Sequence, residues 1–458
     1  MFETVLIANR GEIAVRVIRT CQRLGLKTIA VYSEADSGAM HVRLADDAVL
    51  LGPAPAPQSY MDPTKVLEAA KVSGAQAVHP GYGFLAENAG FARRVAEAGL
   101  IWIGPPADAI ETMGDKVRAR NAIAAAGVPV APGSTDPLTE VADAVAAAAE
   151  IGYPLMVKAA AGGGGIGMSA VDGEPALRTA FETAQTRAER FFGSPAILLE
   201  RYVSPARHVE VQVLGLADGR VIALGERDCS VQRRHQKVAE ETPSPGVTPA
   251  LRERMHAAAV QAARAVNYRS AGTVECLVPT AQDPAAQNPT AEPDQFYFLE
   301  MNTRLQVEHP VTELVTGIDL VEQQLLVAAG RPPTFDPDNP PAPRGHAVEF
   351  RVYAEDPKRF LPGPGVIRTW QEPSGEGIRV DSGYSAGDTV TPYYDPLMAK
   401  LCAWGPDRDA ALERLRGAVA EFVVEGPKCN LLFFAELLAN AEFVSGRYDT
   451  GLVSRMRS

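Results

Sequence analysis

Ten consecutive residues, Glu300-Met301-Asn302-Thr303-Arg304-Leu305-Gln306-Val307-Glu308-His309, carry two carboxylates, two amides, a guanidinium and an imidazole. The first part reads as a strand, in which period-two geometry puts Glu300 and Asn302 on one face. An earlier strand, Thr273-Val274-Glu275-Cys276-Leu277, can set Glu275 opposite them if the two strands pair as a hairpin. Two carboxylates and an amide oxygen are hard ligands suited to Mg2+ or Mn2+. A surface sheet with solvated carboxylates is the competing reading, and it suits strands of otherwise apolar residues poorly. Arg304 can bind a planar oxyanion bidentately, and Glu308 beside that anion can act as a general base.

Two further segments suggest what the metal would serve. Lys158-Ala159-Ala160-Ala161-Gly162-Gly163-Gly164-Gly165-Ile166-Gly167-Met168 follows the apolar run Pro154-Leu155-Met156-Val157. Consecutive glycines let backbone N–H groups wrap a phosphate chain without Cβ interference. No Gly-Lys-Ser/Thr closes the loop, so it is not a Walker A motif; a flexible linker is the alternative. Glu226-Arg227-Asp228-Cys229-Ser230-Val231-Gln232-Arg233-Arg234-His235-Gln236-Lys237 concentrates cations in a chain with 44 basic and 56 acidic residues, a net charge of −12. Such a cluster either meets a local anion or forms a solvated loop.

These residues need elements to position them. At 458 residues the chain exceeds one compact core, so two or three units are expected. The first hundred residues alternate strand and helix signals: Val5-Leu6-Ile7-Ala8, a helix over 11–24, Thr28-Ile29-Ala30-Val31-Tyr32, Ala77-Val78-His79 and Ile101-Trp102-Ile103. This predicts a doubly wound parallel sheet, and without a GxGxxG a dinucleotide site is weakly supported. Alanine-rich helices are predicted over 115–126 and 136–151, then strands with one wet face at 208–213 and 296–302. A Pro-rich stretch at 331–343 precedes another strand at 348–352. Residues 280–294, rich in Ala, Pro, Gln and Asn, read as a solvated hairpin tip.

The acidic balance argues against a nucleic-acid or anionic-membrane partner. No apolar run approaches the ~20 residues of a membrane span. The five cysteines (Cys21, Cys229, Cys276, Cys402, Cys429) are scattered and lack CxxC spacing, so reduced thiols, mostly buried, are expected. The N-terminus carries no signal-peptide pattern, and a cytoplasmic location is expected.

Seven blocks, in order along nearly the whole chain, resemble biotin carboxylases: Asn9-Arg10-Gly11-Glu12-Ile13-Ala14; His79-Pro80-Gly81-Tyr82-Gly83-Phe84-Leu85-Ala86-Glu87-Asn88; the glycine loop; 227–237; 300–309; Phe350-Arg351-Val352-Tyr353-Ala354-Glu355-Asp356; and Tyr393-Tyr394-Asp395. The resemblance implies a mixed α/β and α+β multidomain fold. Its parts would be an N-terminal αβ domain (1–114), an ATP-grasp domain (115–330) with a mobile lid at about 131–203, and a C-terminal domain (335–446). It implies that Lys116, Lys158, Gly164 and Gly165 hold ATP phosphates, that Glu200, Arg201 and Val203 line the adenine pocket, and that His208 and His235 contact the nucleotide. Glu275, Glu300 and Asn302 match its magnesium ligands. Bicarbonate would lie against Lys237, Arg304, Gln306 and the Val307 N–H, with Glu308 as base. Arg351 would stabilise the biotin enolate, and Tyr82 would lie near biotin.

The implied activity is ATP- and bicarbonate-dependent carboxylation of biotin through carboxyphosphate, the first half-reaction of an acyl-CoA carboxylase such as the acetyl-CoA carboxylase of fatty acid biosynthesis. No Ala-Met-Lys-Met biotin-attachment motif occurs, and Met398-Ala399-Lys400 reads as a structural strand. A separate biotin carboxyl carrier protein is therefore expected, with a carboxyltransferase to complete the pathway, and the resemblance implies a homodimer. Two departures stand out: Ile166 and Ser169 occupy positions where the family usually or commonly has a basic residue, and 280–294 is longer than usual. Another ATP-grasp ligase forming an acyl phosphate, or a non-catalytic regulatory homologue, are the competing functions.

Overall fold

Short β-branched runs separated by amphipathic helices build the N-terminal sheet. In the computed structural model, which describes residues 2–160, 168–280 and 295–457, five parallel strands lie side by side. Their spatial order is Asp47–Gly52, Lys27–Ser33, Thr4–Ile7, Ala77–His79, Ile101–Trp102. The edge strand Asp47–Gly52 is missing from the sequence reading because it is only partly buried and shows no clean alternation. Helix Gly11–Arg23 buries Ile13, Val17 and Ile18 against this sheet, as its spacing predicts.

A second unit is small and has its own core. Strand Leu155–Ala159 runs between Ser169–Val171 and Ile197–Arg201, both antiparallel to it. Helices Val141–Ile151 and Glu174–Phe192 cover this sheet through Ala144, Ala148, Leu177 and Phe181. The first of these helices begins later than the predicted 136–151.

The main sheet has eight antiparallel strands: Tyr297–Asn302, Ser270–Pro279, Ala206–Gly215, Val221–Arg233, Gln236–Thr242, His346–Tyr353, Leu397–Gly405, Ile378–Ser382. It runs unbroken past the Pro-rich stretch at 331–343, because Gln236–Thr242 pairs with His346–Tyr353, Glu240 opposite Glu349. The linker therefore separates sequence regions but not sheets. Its C-terminal half packs on Phe433, Phe434 and Leu437, with Phe350 and Phe434 stacked at 4.2 Å. Met398-Ala399-Lys400 lies in a central strand, as expected. All five cysteines are free, four of them buried.

Candidate active site

The hairpin suggested by sequence forms. Glu275 pairs in register with Glu300, and Thr273 with Asn302. His208, Glu210 and Gln212 project from Ala206–Gly215, whose Glu210 lies opposite Glu275. Period-two geometry thus collects carboxylates from three adjacent strands on one face.

One partly buried lysine ties this face together. Lys237 Nζ donates to Glu210 Oε2 at 2.5 Å, Glu275 Oε1 at 2.8 Å and Glu308 Oε1 at 2.8 Å. Burial alone would lower its ammonium pKa, but the carboxylates outweigh burial and raise it well above the ordinary value. Arg351 holds the other oxygen of Glu308, Nη2 to Oε2 at 3.0 Å, while its Nε donates to Glu240 at 2.6 Å. Burial pushes the Glu308 carboxyl up, but Lys237, Arg351 and Arg227 outweigh it and hold it well below the usual carboxylate range. Glu308 is therefore ionised at neutral pH, with a cation on each oxygen.

Arg304 lies beside this pair and is shared among several acceptors: Nε to Glu87 Oε2 (2.9 Å), Nη1 to Gln306 Oε1 (2.8 Å) and Nη2 to Asn302 Oδ1 (3.1 Å). Gln306 turns its amide nitrogen to Glu275 (3.2 Å). Asn302 likewise donates to Glu275 (2.7 Å), so here its oxygen faces Arg304 rather than the carboxylates. His208 Nε2 sits 2.9 Å from Glu275 Oε2; burial lowers the imidazole pKa, and the carboxylate more than restores it. Glu300 lies at the open edge of this face, where burial by the surrounding protein and then the charge of Glu275 push its carboxyl up. Two facing carboxylates, the charge of Glu275 raising the proton affinity of Glu300, fit a divalent cation, which would relieve the repulsion.

The residues expected to hold phosphates also converge. Lys116 begins helix Lys116–Ala125, and its ammonium is pushed down by burial and then by the nearby charge of Lys158. Lys158 in turn pairs with Glu200 across the small sheet. Two neighbouring cations of this kind favour an incoming anion. The Arg201 N–H is committed to Pro132 O (2.7 Å), and its guanidinium binds the carbonyls of Ile151 and Tyr153, so it braces the small unit. Val203 is half-buried just beyond that strand. His235 stands exposed at the tip of the hairpin between Val221–Arg233 and Gln236–Thr242, away from the buried cluster. Gly164, Gly165 and Ile166 lie outside the described residues, as does 281–294.

Tyr82 lies in the turn after the strand Ala77–His79, and its hydroxyl donates to Glu12. Asn9 Nδ2 donates to Pro80 O and Tyr82 O, both at 2.7 Å, which pins the turn. Gly81 is required there: φ is +63°, and a Cβ would meet Asn9 Nδ2 at 2.9 Å. Sequence reasoning missed Glu87, Glu210 and Glu240 as members of this cluster. Glu210 had a signal, since it alternates with His208 and Gln212 on one strand face. Glu87 and Glu240 had none, because their partners are distant in sequence.

Residues 1–110 match the family described as biotin carboxylase, N-terminal domain, and 349–455 the biotin carboxylase C-terminal domain. Residues 115–334 match the ATP binding domain of the carbamoyl-phosphate synthase L chain. Over 454 residues the chain is 50% identical to a biotin carboxylase of Halalkalibacterium halodurans, spanning 99% of this chain and 98% of that one. The chain belongs to the biotin carboxylase family. Family members of known structure share the fold closely. A Campylobacter jejuni biotin carboxylase in a β-γ-ATP complex superposes with a TM-score of 0.94 at 42% identity, over 99% of both chains. The biotin carboxylase domain dimer of the Hydrogenobacter thermophilus 2-oxoglutarate carboxylase, in complex with MgADP, ADP and bicarbonate, gives 0.93 at 43% identity, over 99% of this chain and 98% of that one. The expected multidomain α/β fold and the enzyme class, an ATP-grasp ligase of this family, are thereby established.

Proposed function

We propose that this chain carboxylates biotin on a separate carrier protein, using ATP and bicarbonate, as the first half-reaction of an acyl-CoA carboxylase such as acetyl-CoA carboxylase. The observation that carries this reading is Glu308 held ionised between Lys237 and Arg351, with Arg304 and Gln306 alongside. A base, an oxyanion-binding guanidinium and a second guanidinium in one buried cluster suit bicarbonate activation and biotin carboxylation. A ligase that only joins a carboxylate to an amine does not require all three.

In this reading Lys116, Lys158, Gly164 and Gly165 bind the ATP phosphates, and Glu200, Arg201 and Val203 border the base. With its N–H committed to Pro132, Arg201 has its carbonyl left to offer the adenine edge. His208 and His235 act from the strand face and the hairpin tip. Glu275, Glu300 and Asn302 would hold Mg2+ or Mn2+, which supplies charge neutralisation on the phosphates; Asn302 would have to turn its oxygen from Arg304.

Bicarbonate lies against Lys237, Arg304, Gln306 and the Val307 N–H. Glu308 takes its proton, the freed oxygen attacks the γ-phosphorus, and ADP leaves, giving carboxyphosphate. That intermediate splits into CO2 and phosphate. The phosphate accepts the N1′ proton of biotin, and the resulting enolate, facing Arg351 with Tyr82 nearby, attacks CO2. Preorganised charge lowers each barrier because the cations need not reorganise, and a closed lid over about 131–203 keeps water from carboxyphosphate.

The domain limits 1–114, 115–330 and 335–446 are part of the proposal, supported by the family matches over 1–110, 115–334 and 349–455. A homodimer is supported by the dimer among the family's structures, and a carboxyltransferase partner is part of the same proposal. Among the described residues no helix is long and apolar enough to cross a membrane; with five free cysteines, this supports a reducing, cytoplasmic setting. The test is ATP hydrolysis with and without bicarbonate and free biotin. Bicarbonate-dependent turnover stimulated by biotin is expected. Turnover indifferent to bicarbonate points to another ATP-grasp ligase, and no turnover under any condition to a regulatory homologue.

A further inference from the structure

Lys400 is fully buried on strand Leu397–Gly405, opposite Arg351 of the adjacent strand. These paired positions send cations to consecutive residues of the catalytic segment. Arg351 reaches the Glu308 carboxylate, and Lys400 Nζ donates to the Val307 carbonyl at 3.0 Å. On its other side Lys400 lies 3.0 Å from Glu12 Oε2, in the N-terminal unit. The second oxygen of Glu12 accepts the Tyr82 hydroxyl. Asp381 is farther from Lys400, at 3.9 Å, and is already paired with Arg379 at 2.7 Å. A continuous polar chain, Tyr82–Glu12–Lys400–Val307, thus runs through otherwise buried protein. It joins the residue assigned to biotin to the residue whose N–H is assigned to bicarbonate.

A buried ion pair is a poor device for stability alone, since well-packed apolar residues of similar volume often serve as well or better. Its value here lies in direction. The Val307 carbonyl belongs to the peptide leading into Glu308, and the Val307 N–H to the peptide just before it, so Lys400 anchors the backbone between the bicarbonate-facing N–H and the base. We propose that Glu12 and Lys400 are positioning residues that hold the Val307–Glu308 peptide for bicarbonate and couple it to occupancy of the biotin pocket at Tyr82. The proposal rests on the assignments of Tyr82 and Val307 made under the proposed function.

The experiment uses the full chain and follows ATP hydrolysis against bicarbonate, with and without free biotin. The double variant Glu12→Gln/Lys400→Met removes both charges together, so neither is left buried alone. Losing a charge-assisted hydrogen bond to the Val307 carbonyl should raise the bicarbonate KM about tenfold. The ATP KM and the rate at saturating bicarbonate should stay within about threefold of the unsubstituted chain, and biotin stimulation should disappear. Lys400→Arg, which keeps the charge and a donor, should restore most of the bicarbonate KM. Glu12→Gln alone keeps the lysine on Val307; it should lose biotin stimulation while its bicarbonate KM holds, and it remains decisive if the double variant does not fold. An unchanged bicarbonate KM in the folded double variant, an equal rise in the ATP KM, or full biotin stimulation in Glu12→Gln would overturn the proposal. If the unsubstituted chain shows no bicarbonate-dependent turnover, the functional reading itself fails, and this proposal with it.

Discussion

Replacing Glu308 by Gln separates proton removal from substrate binding. The carboxylate has a cation on each oxygen, Lys237 at 2.8 Å and Arg351 at 3.0 Å. Glutamine has nearly the same shape but can accept from only one of them, and its NH2 then faces the other cation. Lys237 keeps Glu210 and Glu275, and Arg351 keeps Glu240, so neither cation is stranded. The cost to folding should be about 3 kcal/mol, the value of one lost charge-assisted bond plus a misdirected donor. The cost to chemistry is larger and of another kind, because the amide cannot take a proton. Loss of a positioned general base costs roughly 10²–10⁴-fold in turnover. Bicarbonate-dependent ADP release would report the rate, and calorimetric titration with ATP the binding; binding should match the parent because Lys116 and Lys158 do not touch Glu308. Turnover within tenfold of the parent in a folded, ATP-binding variant would refute Glu308 as the base.

Two other outcomes follow from the same structure and one from the sequence. Glu241 is buried; His346 and Arg408 overcome the burial that would raise its carboxyl pKa and bring it down to about 2. Because the folded pKa lies below the unfolded one, its stabilisation is present above about pH 4.5 and lost as the pH falls toward 2; Glu241→Gln should lower the melting temperature at pH 7 far more than at pH 3. Phe434→Ala removes a buried ring stacked on Phe350 and should destabilise the C-terminal core by about 3–5 kcal/mol, measured by denaturant unfolding, with little change in ATP affinity. Ile166→Lys returns a cation to the glycine loop and should lower the ATP KM or raise kcat by up to about tenfold; no change in either would show that the backbone N–H cradle suffices.

The sequence alone determined the composition of the site. Glu275, Glu300, Asn302, Arg304, Gln306 and Glu308 stand out because two short strands and the turn after them hold too many polar groups to be a plain apolar hairpin. That Glu300 and Asn302 share one face follows from period-two alternation, whereas the register of Glu275 opposite Glu300 depends on a bulge between Glu275 and Cys276. The N-terminal parallel sheet was legible for a similar reason: its buried strands are continuous apolar runs, whereas the half-exposed edge strand Asp47–Gly52 was not. Tertiary structure alone decided which charges meet. Lys237 is 27 residues from Glu210 and 71 from Glu308, and Arg351 is 111 from Glu240; no local pattern connects them. It also turned Lys400 from a strand residue into a link between Glu12 and Val307. Periodicity records the face on which a side chain lies, which is a local property of the backbone. The partner it finds there depends on strand order across the sheet and on how units distant in sequence pack, and electrostatic coupling in a buried site depends on those distances.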